Sequence, residues 1–287
     1  MKVKIKKWYQ FLSNRYQTAF LDYPVHPVPR LLPGNHAFEK LNDLISKNDK
    51  KYQLFLSQTL QYKEQFWEIQ PAEKIQQNDI QPVWNNGFLP GLDMIALYGM
   101  LAQHQPQTYL EVGSGNSTLL ARKAINDQQL STKLISIDPF PRRNIEGVAD
   151  EIIRQPLENI NVQQHILQRL QANDILFIDN SHRSFSNSDV TVFFLEILPF
   201  LRSGVIVHIH DIYLPYDYPQ VMCDRLYNEQ YLLASTIISN QQCFETIFPG
   251  YYVFMNPSMN ELIAPVWNHP NLENVEKHGG SFWVQVL

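Results

Sequence analysis

Apolar positions along this chain follow two different periods. Up to about residue 84 they recur at helical spacing among many Lys and Gln. Phe38, Leu41, Leu44 and Ile45 make one stripe, and Leu54, Phe55, Leu56, Leu60, Phe66 and Trp67 follow, so residues 37–70 read as helical. Pro24, Pro27, Pro29 and Pro33 interrupt the chain before that, which makes residues 23–35 an extended connector. From residue 85 onward short apolar runs alternate with helical stretches. Residues 109–112, 134–137, 175–178 and 205–209 read as strands buried on both faces, while Ile152 and Ile153 mark a weaker strand within 150–158. Helices are predicted over residues 90–102, 162–170, 187–198 and 220–234. Residues 244–248 and 251–254 supply further strand material, and 281–287 form a terminal strand after Gly279 and Gly280. The alternation defines an α/β protein: a doubly wound, Rossmann-like sheet over residues 85–287, preceded by a helical N-terminal extension over 1–84.

The first strand leads into the most informative stretch, Y-L-E-V-G-S-G-N-S-T-L-L-A-R-K-A-I at 109–125. Gly113 and Gly115 allow a sharp turn and a close backbone approach to a ligand. Asn116 and Ser117 can cap a helix whose free amides point into the crevice where such folds bind ligands. A dinucleotide fingerprint would place a third glycine at Thr118, and the acid Glu111 would repel a pyrophosphate. Glu111 instead suits a cationic or hydroxyl-rich ligand. The second strand ends on Asp138, about 25 residues after the glycine loop, where a carboxylate can accept both hydrogen bonds of a ribose diol. Pro139, Phe140 and Pro141 form a stiff apolar wall beside it.

Two further strand ends deliver polar groups to the same edge of the sheet. The run D-I-L-F-I-D-N-S-H carries Asp179 and His182, and V-I-V-H-I-H-D-I carries His210 and Asp211. Adjacent strands lie about 5 Å apart, so these side chains can meet around one atom. His208 sits one pleat deeper and reads as a core histidine bonded to a backbone group or a carboxylate. Three readings of the cluster stay open: a metal site, a metal-free site with His182 or His210 as base, and a network that only fixes loops.

Composition narrows the partners. With 44% hydrophobic and 12% aromatic residues a sizeable core is available, and a net charge of −5 argues against nucleic acid. Residues 1–51 hold ten Lys/Arg against four Asp/Glu, so the basic character is confined to the start. There Lys2, Lys4 and Lys6 alternate with Val3 and Ile5 in an arm read as solvated. No apolar signal core follows and no transmembrane run is present, and Cys223 and Cys243 form neither a metal spacing nor a disulfide framework. A cytoplasmic protein is expected. The extension reads as a packing appendage, with a cap over the second domain or homo-oligomer formation as alternatives.

E-x-G-x-G at 111–115 resembles motif I of the class I S-adenosylmethionine-dependent methyltransferases. F-I-D-N-S-H-R-S-F, G-V-I-V-H-I-H-D-I-Y-L-P-Y-D-Y-P and G-G-S-F-W resemble a bacterial group with that fold, over roughly residues 85–287. The resemblance implies a seven-stranded sheet whose C-terminal strand is antiparallel. It also implies S-adenosylmethionine held by Glu111, Gly113, Ser114, Gly115, Asp138, Pro139 and Asp179, with Phe88 and Asp93 as further contacts. In metal-dependent O-methyltransferases of the catechol type the positions of Asp179, His210 and Asp211 bind Mg²⁺. An imidazole at 210 would favour Mn²⁺, Fe²⁺ or Zn²⁺ instead. His182 and Asp211 are then the catalytic candidates, with His182 as general base where no metal lowers the acceptor pKa. The expected reaction is O-methylation of a small or saccharide-like acceptor, walled by Tyr213, Tyr216 and Tyr218. A metal-dependent enzyme of another type and a non-catalytic partner protein are the rival readings.

Overall fold

The computed structural model describes residues 8–13, 17–18, 21–34, 37–75 and 80–287. The expectation for Lys2, Lys4 and Lys6 lies outside them. Seven strands form one sheet: β1 (Thr108–Val112), β2 (Lys133–Ile137), β3 (Glu151–Ile153), β4 (Ile175–Ile178), β5 (Ile206–Ile209), β6 (Phe244–Pro249) and β7 (Phe282–Val286). Their order across the sheet is β3-β2-β1-β4-β5-β7-β6. The first five pair in parallel, and β7 runs antiparallel to both β5 and β6. The chain builds outward from β1 to β3 and then returns to place β4 on the other side of β1. That reversal opens a crevice above the carboxyl ends of β1 and β4, where open α/β sheets bind ligands.

The strands form because β1, β2, β4 and β5 are charge-poor and buried on both faces; Ile175, Leu176, Phe177 and Ile178 are all within 1% of full burial. Helices α1 (Glu39–Ser46), α2 (Asp49–Thr59) and α3 (Lys63–Glu68) lie in the extension, and α4 (Gly91–His104) and α5 (Asn116–Asp127) flank β1. Leu41, Ile45, Leu56 and Phe66 share one apolar core with Leu97, Leu101 and the strands. A Cβ at Gly99 of α4 would lie 2.8 Å from Thr59 Oγ1 and 3.0 Å from Phe55 Cζ, so α2 and α4 touch almost backbone to side chain. The change of pattern at residue 84 is therefore a change of sequence period within a continuous core.

Several predicted elements come out differently. The expected helix 187–198 is a short α6 (Asp189–Val192) continued by a π-helical turn, Phe193–Ile197, and the segment 162–170 is also π-helical, over Gln163–Leu167. The helix expected over 220–234 is two, α7 (Gln220–Cys223) and α8 (Glu229–Ser239), parted at Leu226, whose φ is +58°. Residues 251–254, expected as strand, belong to α9 (Gly250–Met255), followed by α10 (Pro257–Trp267). The run F-P-G-Y-Y-V-F-M is apolar at every period, and burial alone does not distinguish helix from strand. No helix among the described residues is long and apolar enough to cross a membrane.

Candidate functional site

The loop after β1 is shaped by one close approach. Gly113 has φ +84°, and a Cβ there would stand 1.9 Å from the carbonyl oxygen of Asp179 on the neighbouring strand end. Only glycine fits. Thr118, where a dinucleotide loop would carry glycine, uses its hydroxyl to accept the Gly115 N–H at 3.0 Å and to donate to Glu111. Glu111 also accepts from Ser117 Oγ at 3.2 Å and Tyr109 Oη at 3.3 Å. It is fully buried, and burial pushes its carboxyl up to about 8. Glu111, expected as a cofactor contact, bonds Ser117 and Thr118 in the first turn of α5 and so fixes the loop.

Asp138 stands at the crevice as expected. One carboxylate oxygen accepts the Ser114 N–H and the other the Phe140 N–H, both at 2.7 Å. A carboxylate has about four acceptor sites, so two remain for a diol. Gly113, Ser114, Asp138 and Pro139 line a cavity of about 240 Å³, closed on its far side by Leu157. Ser114, Gly115 and Ser117 line a second, of about 160 Å³, reaching Phe88. Asp179, His182, His210, Asp211 and Tyr213 line a third, of about 230 Å³. Asp179 and Arg142 border all three, 3.7 Å apart, and the Arg142 guanidinium lies 4.5 Å from the Phe88 ring. Three adjoining cavities therefore lie in a row from Asp138 past the glycine loop to Asp211, with Asp179 and Arg142 between them.

At the inner end of this row three carboxylates surround one imidazole. His182 Nε2 lies 3.4 Å from Asp179 Oδ1 and 3.4 Å from Asp211 Oδ2, and Nδ1 is hydrogen-bonded to Glu229, a wholly buried residue at the start of α8. Local turns create this placement. Asn180 Oδ1 accepts the His182 N–H at 3.0 Å and helps hold His182 at φ +63°; Asn228 N–H donates to His182 O at 3.0 Å. Asp211 also has positive φ, +55°, which turns its side chain off the strand direction. Burial alone would make His182 harder to protonate, but Glu229, Asp211 and Asp179 outweigh it and hold the imidazolium up to about pH 9. At neutral pH it carries a proton on each nitrogen, and the acceptors in the cavity are the carboxylates of Asp211 and Asp179.

The expected metal set does not assemble. His210 Nε2 is 2.9 Å from the Phe88 carbonyl, so it carries the proton and donates there, and its Nδ1 lies 4.0 Å from Asp93. Asp179 and Asp211 both face His182. Among the described residues no group of three or more His, Cys, Asp or Glu side chains is arranged to hold a metal ion. His208 is a core residue, stacked at 3.8 Å on Phe177, and its hydrogen bond at 2.8 Å is to the Ser281 hydroxyl, not to backbone or carboxylate. Asp93 is fully buried and accepts the N–H groups of Gly280 and Ser281 at 2.7 and 2.9 Å, so it braces β7 and does not reach the cleft. Of the three tyrosines expected to wall the acceptor, only Tyr213 lines the inner cavity; Tyr218 is buried with its oxygen on the Gln230 N–H. Glu229, Tyr227, Arg225 and Arg142 carry site geometry that sequence reasoning missed, since no strand end or motif marks them.

A family model described as a methyltransferase domain matches residues 110–212, from β1 through β5 to just past Asp211. An uncharacterised protein of Archaeoglobus fulgidus is 31% identical over 87 residues, covering 27% of this chain and 38% of that protein, so this chain spans well under half of that relative's length. Among solved structures, an O-methyltransferase of Bacillus cereus in complex with S-adenosylhomocysteine is similar at 14% identity and TM-score 0.41, covering 86% of this chain and 99% of that one. An O-methyltransferase of Streptomyces achromogenes in complex with S-adenosylmethionine is similar at 13% identity and TM-score 0.31, covering 67% and 78%.

Proposed function

We propose that the protein is an S-adenosylmethionine-dependent methyltransferase acting on a hydroxyl of a small acceptor. The observation that carries the reading is the row of adjoining cavities that places a diol-competent carboxylate, Asp138, the glycine loop and a second carboxylate, Asp211, around the shared Asp179 and Arg142. The family match over the strands that build these cavities supports it. The cofactor, when bound, supplies a methyl group on a sulfonium, and its displacement leaves a neutral thioether. Asp138 would hold the ribose diol, Pro139 the adenine face, and the Gly113–Ser114 backbone the segment between them. Asp179, beside Arg142, lies where the cofactor and acceptor ends meet.

Asp211 would take the acceptor's hydroxyl proton as the oxygen–carbon bond forms and the carbon–sulfur bond breaks. His182, protonated, holds the Asp179 and Asp211 carboxylates at one point and keeps two like charges from repelling each other. Alignment of the two reactants across the cleft can contribute on the order of 7–11 kcal/mol in well-oriented systems. No step needs a metal, because Asp211 already faces the cavity as a base. Activity is therefore expected to survive exhaustive dialysis against a chelator.

The test is calorimetric titration of S-adenosylmethionine into the purified chain and into Asp138→Asn, with thermal unfolding to confirm that the variant folds. Micromolar binding lost by at least about tenfold, or 1.4 kcal/mol, in the folded variant supports the reading. Absence of binding to the unaltered protein removes it.

A further inference from the structure

Next to the cavity that Asp211 lines, two guanidiniums gather on one tyrosine ring with no acidic side chain paired to either among the described residues. Tyr227, almost fully buried in the loop between α7 and α8, has three cationic groups around its ring: His182 stacked at 4.5 Å, the Arg225 guanidinium at 4.5 Å and the Arg183 guanidinium at 5.0 Å. Cation–π attraction explains how one ring can gather them, but it neutralises none. His182 has its carboxylates. Arg183 donates to the carbonyls of Arg225 at 2.7 Å and Ser181 at 2.9 Å, both uncharged acceptors. Arg225 has no ion pair and no side-chain hydrogen bond among the described residues, and neither has the Tyr227 hydroxyl. The chain as a whole is acidic, at −5; Arg225 lines the cavity together with Arg142 and Glu276, while Arg183 adjoins it through the Tyr227 ring.

We propose that the acceptor is an anionic hydroxy compound: its carboxylate or phosphate is held by Arg225, Arg183 and the Tyr227 hydroxyl while its hydroxyl faces Asp211. The hydroxyl half of this statement rests on the methyltransferase reading; the anion half rests on the Tyr227 cluster alone. Arg225 and Tyr227 line the same cavity as His182 and Asp211, and the stack Arg225–Tyr227–His182 leads from the anion site to the carboxylates through two ring contacts. A single small molecule spans that interval. The division of charge also gives specificity: a neutral isostere would leave Arg225, which lines the cavity, unpaired, and a second anionic group placed inward would meet Asp179 and Asp211.

The test uses inorganic phosphate as the probe, titrated into the full chain saturated with S-adenosylhomocysteine, at constant ionic strength set with chloride. Binding is read by protection of arginines from phenylglyoxal with peptide mapping. Phosphate is expected to protect Arg225 and Arg183 selectively at millimolar concentration. Phosphate binding, read by tyrosine fluorescence, is expected to weaken by about tenfold, or about 1.4 kcal/mol, in each of R225Q and R183Q. The affinity for S-adenosylmethionine is expected to stay within twofold. Protection no better than that given by chloride, or phosphate affinity unchanged in R225Q, overturns the anion site. The unaltered chain decides the first point even where a variant does not fold. Phosphate binding without S-adenosylmethionine binding would leave the anion site standing and remove the methyltransferase reading; the converse would remove only the anion site.

Discussion

Glu229 determines what His182 can do. A buried carboxylate on Nδ1 and two more near Nε2 raise the imidazole to about 9 from an ordinary value near 6.5. The folded state therefore binds a proton that the unfolded chain releases. Its stabilising contribution is complete below about pH 6.5 and is lost as pH rises through about 9. Replacing Glu229 with Gln breaks a buried charge pair, which typically costs on the order of 3–5 kcal/mol. Urea unfolding across that window should show Glu229→Gln less stable at neutral pH and flatter with pH, and NMR titration should place the His182 transition lower. Parallel pH slopes in the two proteins would sink the idea. A second residue-scale outcome concerns Gly113. Alanine there would carry a Cβ 1.9 Å from the Asp179 carbonyl and adopt φ +84°, so it must part β1 from β4 at the centre of the cleft. Gly113→Ala is expected to lose S-adenosylmethionine binding by more than tenfold, about 1.4 kcal/mol or more, in calorimetry.

At the scale of elements, the connector 21–34 is a strap over the acceptor loop. Asp217 Oδ2 accepts the N–H groups of Arg30 and Leu31 at 2.8 and 2.9 Å, its own N–H donates to Leu31 O at 2.8 Å, and Tyr231 Oη donates to Oδ1 at 3.0 Å. Asp217→Ala leaves those donors without a charged acceptor, at about 1–3 kcal/mol. Amide hydrogen exchange should quicken over residues 25–34 and 213–231, while the affinity for S-adenosylmethionine holds, because the glycine loop is fixed from the other side by Glu111. Unchanged exchange would show that the strap bears nothing. The connector's lack of helix was legible from its four prolines, but its target was not, since nothing local ties Leu31 to Asp217. The same distinction runs through the chain. The strands β1, β2, β4 and β5 were readable because burial on both faces leaves an apolar run bounded by turn residues. The convergence of Asp179, His182 and Asp211 followed from adjacent strand ends. Glu229 was not readable, because it arrives 47 residues after His182 through a break at Leu226 that no Gly or Pro announces. The bonds of Glu111 to the first turn of α5 were not readable, because a motif gives spacing, whereas the side of a β-strand a residue faces depends on the pleat and on what packs there.

At the scale of the molecule, the described residues of the helical extension share one apolar core with the sheet. Leu41, Ile45, Leu56 and Phe66 belong to the same apolar core as α4 and the strands, and α10 closes on the extension where Trp67 Nε1 donates to Val266 O at 2.8 Å. Two units with separate cores would unfold in separate steps. Here tryptophan fluorescence, which reports Trp84 and Trp283 in the interior, and far-UV circular dichroism should give coincident denaturation curves. A chain starting at residue 85 should not fold, since Leu97 and Leu101 would lose the face they pack against. A milder version of the same argument uses Gly99, the point of closest approach between α2 and α4. Valine there would press into Thr59 and Phe55, both buried, at a cost of about 1–3 kcal/mol for an overpacked core. The clash sits on the extension side of α4, away from Asp138, Gly113 and Asp211. Gly99→Val should therefore lower the whole transition in both signals together and leave the affinity for S-adenosylmethionine unchanged below it. If the two signals separated in that variant, the extension would be an independent appendage and the core would be two.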